Sequence, residues 1–189
     1  MLQRLFKDAR SQNGWGTDPV SEADLLEAYE LAKWGPTSMN TQPMRLVFLR
    51  SVHAKERLKP ALAPTNVAKV MAAPVVAIIA YDLQFYTRSA KTFPHNPDAP
   101  ARFAANPAVA EATAFRNGTL QAAYLMLALR AVGLDVGPMS GFDLAKVDAE
   151  FFAGSSLRTN FICGIGRGDP GKVFDRLPRL TFDEVATVV

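Results

Sequence analysis

The sequence predicts a mixed helix-and-strand domain that is not a doubly wound parallel sheet. Helical and continuously apolar extended patterns interleave along all 189 residues. Their spacing is irregular, and no GxGxxG turn or Walker lysine motif opens a helix after a strand. One helical pattern, Ala108 to Val132, is far longer than the rest and apolar on nearly every side in its second half.

Composition narrows the function classes. A chain of this length favours a single domain. Apolar residues make up 49% and charged residues 21%, an ordinary globular balance. The 21 Lys+Arg against 18 Asp+Glu leave a scattered excess of +3. Without a basic run, nucleic acid is not expected as a partner, whereas a small anionic ligand held by a few arginines is compatible. Cys163 is the sole cysteine, so no internal disulfide forms, and a buried thiol in a reducing compartment is the default. His53 and His95 lack ligand spacing, so no metal is expected. No window reaches about 18 uninterrupted apolar residues, and Met1–Asp8 has no leader-like apolar core, which predicts a cytoplasmic protein without a membrane span.

In chain order, residues 2–9 read as a short amphipathic helix. Ser21-Glu22-Ala23-Asp24 resembles a capping box with Asp in place of Glu, opening a helix that Gly35-Pro36 stops. Leu46–Leu49 lacks polar alternation, which predicts a strand buried on both faces. A helix is expected over 54–62 and another from Pro64. Val75–Tyr81 is the strongest strand pattern. Residues 82–106 show no clear period. Their prolines are interspersed with Phe85, Tyr86, Phe93 and Phe103, and the aromatics argue for a functional lid rather than disorder.

Pro107 suits the first turn of the long helix, which would run about 38 Å before Gly133 ends it. A helix apolar all round must be surrounded, and a domain this small can scarcely enclose one, so a partner subunit is expected to cover part of it. Leu134–Met139 and Phe161–Gly166 are further strands, and Asp143 can cap a helix through Phe152. Leu180–Val189 is too apolar to hang free, so it packs on the body or on a second subunit.

The chemistry converges on Lys33-Trp34-Gly35-Pro36-Thr37-Ser38-Met39-Asn40-Thr41-Gln42-Pro43-Met44-Arg45. Two prolines stiffen the stretch, and five hydroxyl or amide side chains lie between them. It reads equally as a helix-to-strand connector and as a wall for a polar ligand. Elsewhere no GxSxG elbow, carboxylate pair or metal set stands out, so an enzyme here needs a cofactor to carry the reaction.

Several stretches, taken in order, resemble the FMN-dependent nitroreductase family. They are Asp8-Ala9-Arg10, Asn13-Gly14-Trp15, Lys33–Ser38, Phe115-Arg116-Asn117, Gly137–Asp143, Phe151–Ser155 and Arg176–Leu180. More narrowly, the chain is similar to the malonic-semialdehyde reductases of pyrimidine degradation and their NAD(P)H nitroreductase relatives. The resemblance implies an α+β nitroreductase-like fold with a central, mostly antiparallel sheet flanked by helices. It also implies a homodimer with the long helix at the interface and FMN sites shared between subunits. Residues 1–189 would form one FMN-binding domain, with 170–189 as a C-terminal extension embracing the partner.

The resemblance also implies roles by position. Arg10, Ser11 and Gln12 would meet the FMN phosphate and ribityl chain, with Arg176 or Lys172 as the C-terminal phosphate cation and Arg179 as a substitute. Read without the resemblance, Arg10 is first a surface cation. Asn66 and Lys69 would reach the pyrimidine edge of the flavin, the lysine offsetting negative charge on reduction. Pro36, Thr37, Ser38 and Asn40 would approach the flavin from the other subunit. Pro138, Met139, Ser140 and Gly141 would lie against the ring, with a backbone N–H near Ser140 or Gly141 meeting flavin N5. The chain departs from the broad family at Met44, where Trp is common, at Gln12, where Ser is common, and in the Asn13-Gly14-Trp15 run.

The implied activity is ping-pong hydride transfer from NAD(P)H through FMN to a small electron-poor acceptor. That acceptor is malonic semialdehyde, reduced to 3-hydroxypropionate, or a nitroaromatic or quinone. Phe85, Tyr86, Phe93 and Phe103 are candidate substrate contacts. A flavin-fragmenting or dehalogenating relative and a non-catalytic flavin-binding protein are the alternatives.

Overall fold

The computed structural model describes residues 2–189. A π-helical turn at Gln3–Lys7 precedes α1, Glu22–Ala32. Ser21 and Asp24 form the complete capping box: the Ser21 hydroxyl accepts from the Asp24 N–H and the Asp24 carboxylate accepts from the Ser21 N–H. Strand β1, Met44–Leu49, leads to α2, Val52–Leu58, which tightens into a 3-10 turn at Lys59–Ala61. The helix expected over 54–62 thus starts earlier and changes pitch at Pro60. Then come α3, Pro64–Ala72, and β2, Val75–Asp82.

The sheet has the order β1-β2-β4-β3, with β3 at Asp135–Met139 and β4 at Leu157–Gly166, and every adjacent pair is antiparallel. Every residue of β2 is buried. Val75, Ala77 and Ile79 face α1 and the long helix, while Val76, Ile78 and Ala80 face the opposite core around Leu58, Val70 and Val147. The two-residue period of a strand therefore turns one apolar run into two cores. Strand β1 departs from expectation. Only Met44 and Leu49 are fully buried, because β1 is an edge strand.

Residues 82–106 are more ordered than their sequence suggests. They hold a 3-10 turn at Phe85–Arg88, α4 at Ser89–Thr92 and α5 at Ala99–Ala104. Phe85 is 1% exposed, packed with Tyr81, Ala110 and Ala114, its ring centroid 4.9 Å from that of Phe103. This corrects the assignment of Phe85 as a substrate contact, since a side chain so enclosed meets no ligand. Its aromaticity anchors the segment to the body.

The long helix α6 spans Pro107–Ala131, with Asn106 capping its start and Gly133 in the left-handed region (φ 98°) after its end. One face is buried through Ala110, Ala114, Gly118, Ala122, Leu125 and Leu129. Phe115, Leu120 and Tyr124 on the other face stay exposed, so the chain alone covers half of this helix. Helix α7, Leu144–Phe151, starts at Asp143, whose carboxylate accepts from the Lys146 N–H. In the tail, α8 spans Phe182–Val185, and Leu177, Leu180, Phe182, Val185 and Val188 are all exposed. The Leu180–Val189 end thus presents its apolar side chains away from its own body, which leaves a second subunit as the remaining expectation for it. Among the described residues, no helix is long and apolar enough to cross a membrane.

Candidate functional site

The free edge of β3 is covered by the N-terminal segment. Ser11 bridges Val136 in parallel, and the Gln12 N–H donates to the Val136 carbonyl at 3.0 Å. This close approach requires Gly137, because a Cβ there would lie 2.4 Å from the Gln12 carbonyl oxygen. Trp15 then lies over Gly164, and its Nε1–H donates to the Lys69 carbonyl at 3.1 Å. Beyond β3, Gly141 settles on the start of α3: its carbonyl accepts from Asn66 Nδ2 and from the Ala63 N–H, both at 3.0 Å. Residues 10–15, 66–69 and 138–141 are thereby knitted along one edge. Ser140 and Gly141 are exposed, and neither backbone N–H has a hydrogen-bond partner among the described residues.

Beside this edge, the N-terminal segment and the tail brace each other reciprocally. Arg10 donates to the Phe174 carbonyl, and Arg176 donates to the carbonyls of Lys7 and Ala9. Between them is a recess of about 220 Å³ whose lining includes Arg10, Ser11, Asn13, Asp175, Arg176 and Arg179. None of the three arginines is in an ion pair among the described residues, and each is steadied by a backbone carbonyl, so three arginines with a hydroxyl, an amide and the Asp175 carboxylate line the space. Planar, multiply donating cations suit a phosphate. Lys172 and Gln12 lie elsewhere. The Lys172 stem crosses Gly14, with its ammonium 4.0 Å from Asp169. Gln12 is buried against Gly168, and its Oε1 has no partner.

The 36–44 loop has an unusual backbone. Met39, Asn40 and Gln42 take φ values of 52°, 49° and 44°. Left-handed conformations at non-glycine residues cost on the order of 1 kcal/mol each and persist where the surroundings enforce them. Here α6 does so. The Ser38 N–H donates to Asn117 Oδ1 at 2.8 Å, and the Met44 N–H donates to Gln121 Oε1 at 2.9 Å. Both amides are buried and sit one helical turn apart. Asn40 Nδ2 donates to the Thr92 carbonyl at 2.8 Å, tying the loop to α4. Arg45 pairs with Asp82 at 2.8 Å. A cavity of about 690 Å³ opens here, with Asn40, Thr41, Gln42, Arg45, Arg88 and Lys91 in its wall. The Thr41 hydroxyl is buried without a partner. The sequence gives no role to Asn117, which appears only within the Phe115-Arg116-Asn117 stretch, or to Gln121. Their signal was available: two amides four residues apart on the inward face of an otherwise apolar helix.

The predicted residues therefore form two groups. Arg10, Ser11, Asn66, Lys69, Pro138–Gly141 and Arg176 gather along the β3 edge, and Pro36–Asn40 sit at the entry to β1. The two strands are opposite edges of the sheet, three strand spacings or roughly 14 Å apart. Of the candidate aromatics, Tyr86 and Phe103 stack on each other at 6.2 Å, Phe93 packs on His95 at 3.9 Å, and none lines the 690 Å³ cavity. Among the described residues, no cluster of side chains could hold a metal ion.

Residues 7–167 match the family model described as the Nitroreductase family. HadB of Ralstonia pickettii, provisionally named NADH dehydrogenase/NAD(P)H nitroreductase, is 58% identical over 189 residues, covering 99% of this chain and 96% of its own. The chain belongs to the nitroreductase family. A second family relative, from Cupriavidus pinatubonensis and of the same provisional name, is 56% identical over 186 residues, covering 97% of this chain and 95% of its own. Among solved family structures, YdfN of Bacillus subtilis has a TM-score of 0.89 at 23% identity, covering 100% of this chain and 98% of its own. A provisionally named nitroreductase from Exiguobacterium sibiricum, solved in complex with FMN, has a TM-score of 0.87 at 19% identity, covering 100% of this chain and 97% of its own. At these identities the structural matches carry the nitroreductase fold.

Proposed function

We propose that the protein is an FMN-dependent NAD(P)H oxidoreductase that works as a homodimer with its sites between subunits. The observation that carries this reading is the arrangement along the β3 edge, which has a recess lined by Arg10, Arg176 and Arg179 where Ser11 meets Val136 and, past the end of the same strand, two exposed N–H groups at Ser140 and Gly141 that are unpartnered among the described residues. The donor set fits the cofactor: guanidinium groups for a phosphate, and free backbone donors with an amide and an ammonium for a heteroaromatic ring. The relatives' names, NADH dehydrogenase and NAD(P)H nitroreductase, and the FMN complex of the Exiguobacterium protein support the same reading.

In this reading Arg10, Ser11 and Arg176 hold the phosphate, with Arg179 nearby. Asn66 secures the 138–141 loop through the Gly141 carbonyl, so that the Ser140 and Gly141 N–H groups stay directed outward. Lys69, half-buried and in no ion pair among the described residues, supplies positive charge near the ring's pyrimidine edge. Bound FMN supplies the two-electron chemistry, accepting hydride from NAD(P)H and giving it to a second substrate. Thr37, Ser38 and Asn40 of the second copy close the site, because within one chain the sheet separates them from the β3 edge.

For the acceptor we propose a small electron-poor carbonyl compound, malonic semialdehyde passing to 3-hydroxypropionate, with nitroaromatics and quinones as further acceptors. Exposed Arg88 and Lys91 beside the loop suit a carboxylate-bearing acceptor. Anaerobic titration tests the reading. The purified protein is expected to be yellow or to take up FMN, to bleach with NADH or NADPH, and to recolour with malonic semialdehyde. A protein that cannot take up FMN overturns the proposal. One that bleaches but recolours only with nitroaromatics or quinones overturns the semialdehyde assignment alone.

A further inference from the structure

We infer that Asn117 and Gln121 of α6 are positioning residues for the flavin site, acting through the loop that the second copy contributes. This rests on the reading above and adds to it the device that shapes the loop. Three non-glycine residues within four positions, Met39, Asn40 and Gln42, hold left-handed backbone conformations, an arrangement a free chain abandons. Its two flanks are pinned from the same side. The Ser38 N–H enters the loop on Asn117 Oδ1 and the Met44 N–H leaves it on Gln121 Oε1.

The amides are well suited to this task. Asn117 is 2% and Gln121 6% exposed, so both acceptors are largely withdrawn from bulk water. Asn117 Nδ2 donates to the Thr113 carbonyl at 2.8 Å, which sets the side chain's orientation and turns Oδ1 toward Ser38. Two further contacts pass the constraint along. The Gln42 N–H donates to Thr37 Oγ1 at 3.3 Å, closing the loop on itself, and Asn40 Nδ2 reaches the Thr92 carbonyl of α4. The backbone that presents Thr37, Ser38 and Asn40 is thus shaped by side chains of α6, with Gln121 at the inner wall of the 690 Å³ cavity and Asn117 outside its lining. Nothing else in α6 requires polar groups at these positions, since its buried face is otherwise alanine, glycine and leucine.

The test compares Asn117→Leu and Gln121→Met, which keep volume and remove the acceptor, with Gln121→Glu, which keeps it. Val147→Ala in the opposite core serves as a control for loss of stability. Amide exchange of the apo protein is read first, because it does not depend on the cofactor. Faster exchange confined to residues 37–44 is expected in Asn117→Leu and Gln121→Met, and near wild-type exchange in Gln121→Glu. FMN affinity is read second. A weakening of about tenfold is expected in the two acceptor-less variants, with recovery to within about threefold in Gln121→Glu. Unchanged exchange at 37–44 overturns the inference. An equal loss of FMN affinity in Val147→Ala at a matched melting temperature also overturns it, since the amides would then act only through stability. A wild-type protein that binds no FMN overturns the reading on which the inference rests, whereas a wild type that binds FMN as weakly as the variants do overturns the inference alone.

Discussion

Cys163 shows how far one residue's surroundings set its chemistry. It sits in β4 within the α1–α6 core, 1% exposed, and burial pushes its thiol up from 9.0 to about 12. The thiolate is the reactive form, so native Cys163 is expected to resist thiol reagents until the protein unfolds. The same shift has a consequence for stability. Above pH 9 the unfolded chain gives up its proton while the folded chain keeps it. The contribution of this group is therefore complete below pH 9 and is lost as pH rises from 9 toward 12, by at most about 1.4 kcal/mol per pH unit. Urea unfolding at pH 8 and pH 10 measures it. Wild type is expected to lose about 1 kcal/mol more than Cys163→Ala over that interval, and equal losses would place the alkaline sensitivity elsewhere.

At the scale of elements, the glycines of β3 and β4 matter because other segments lie directly on their backbones. A Cβ at Gly137 would meet the Gln12 carbonyl, which is backbone and has no rotamer to yield. Gly137→Ala is expected to lift the 10–15 segment from β3, at a cost of about 1–3 kcal/mol in stability. Because that segment carries Arg10, FMN affinity should fall as well. Calorimetry and FMN titration check the two effects, and a variant with native stability and affinity would show that the segment has another seat.

This dependence also explains what was legible in the sequence. Ser21 and Asp143 announce helix starts through contacts within three residues, Pro107 through its ring-fixed φ at the first turn, and β2 announces burial through an unbroken apolar run. Arg10 and Arg176 came into view through a resemblance, not through spacing. Their meeting is made by a tail returning over 160 residues later to the N-terminal segment. Asn117 and Gln121 escaped notice because their partners, Ser38 and Met44, are more than 70 residues away and are backbone N–H groups, which every residue but proline has. Phe85 was misread for a related reason: aromatics in an aperiodic stretch look unpaired until α6 is folded against them.

For the whole molecule, much of the large apolar surface left open lies on three elements, α1, α6 and the tail. Leu26, Tyr29 and Leu31 of α1, Phe115, Leu120 and Tyr124 of α6, and the tail residues Leu177, Leu180 and Phe182 are all exposed. A monomer seldom leaves so many large apolar side chains to water, and a twofold pairing of identical faces would bury them. In the dimer proposed above, the loop of one chain meets the β3 edge of the other, joining residue groups that the sheet order holds apart within a chain. Mixed dimers decide whether this happens. In a dimer of one Asn40→Ala chain and one Arg10→Ala chain, the Asn40→Ala chain keeps its own Arg10 and receives Asn40 from its partner, so one site is complete. The other site lacks both. A heterodimer isolated through two different affinity tags is expected to have about half the wild-type turnover, and about half the wild-type FMN at limiting concentration, while each homodimer has little. If each site were instead built within one chain, both sites of the heterodimer would be defective, and its activity would be the average of the two inactive homodimers.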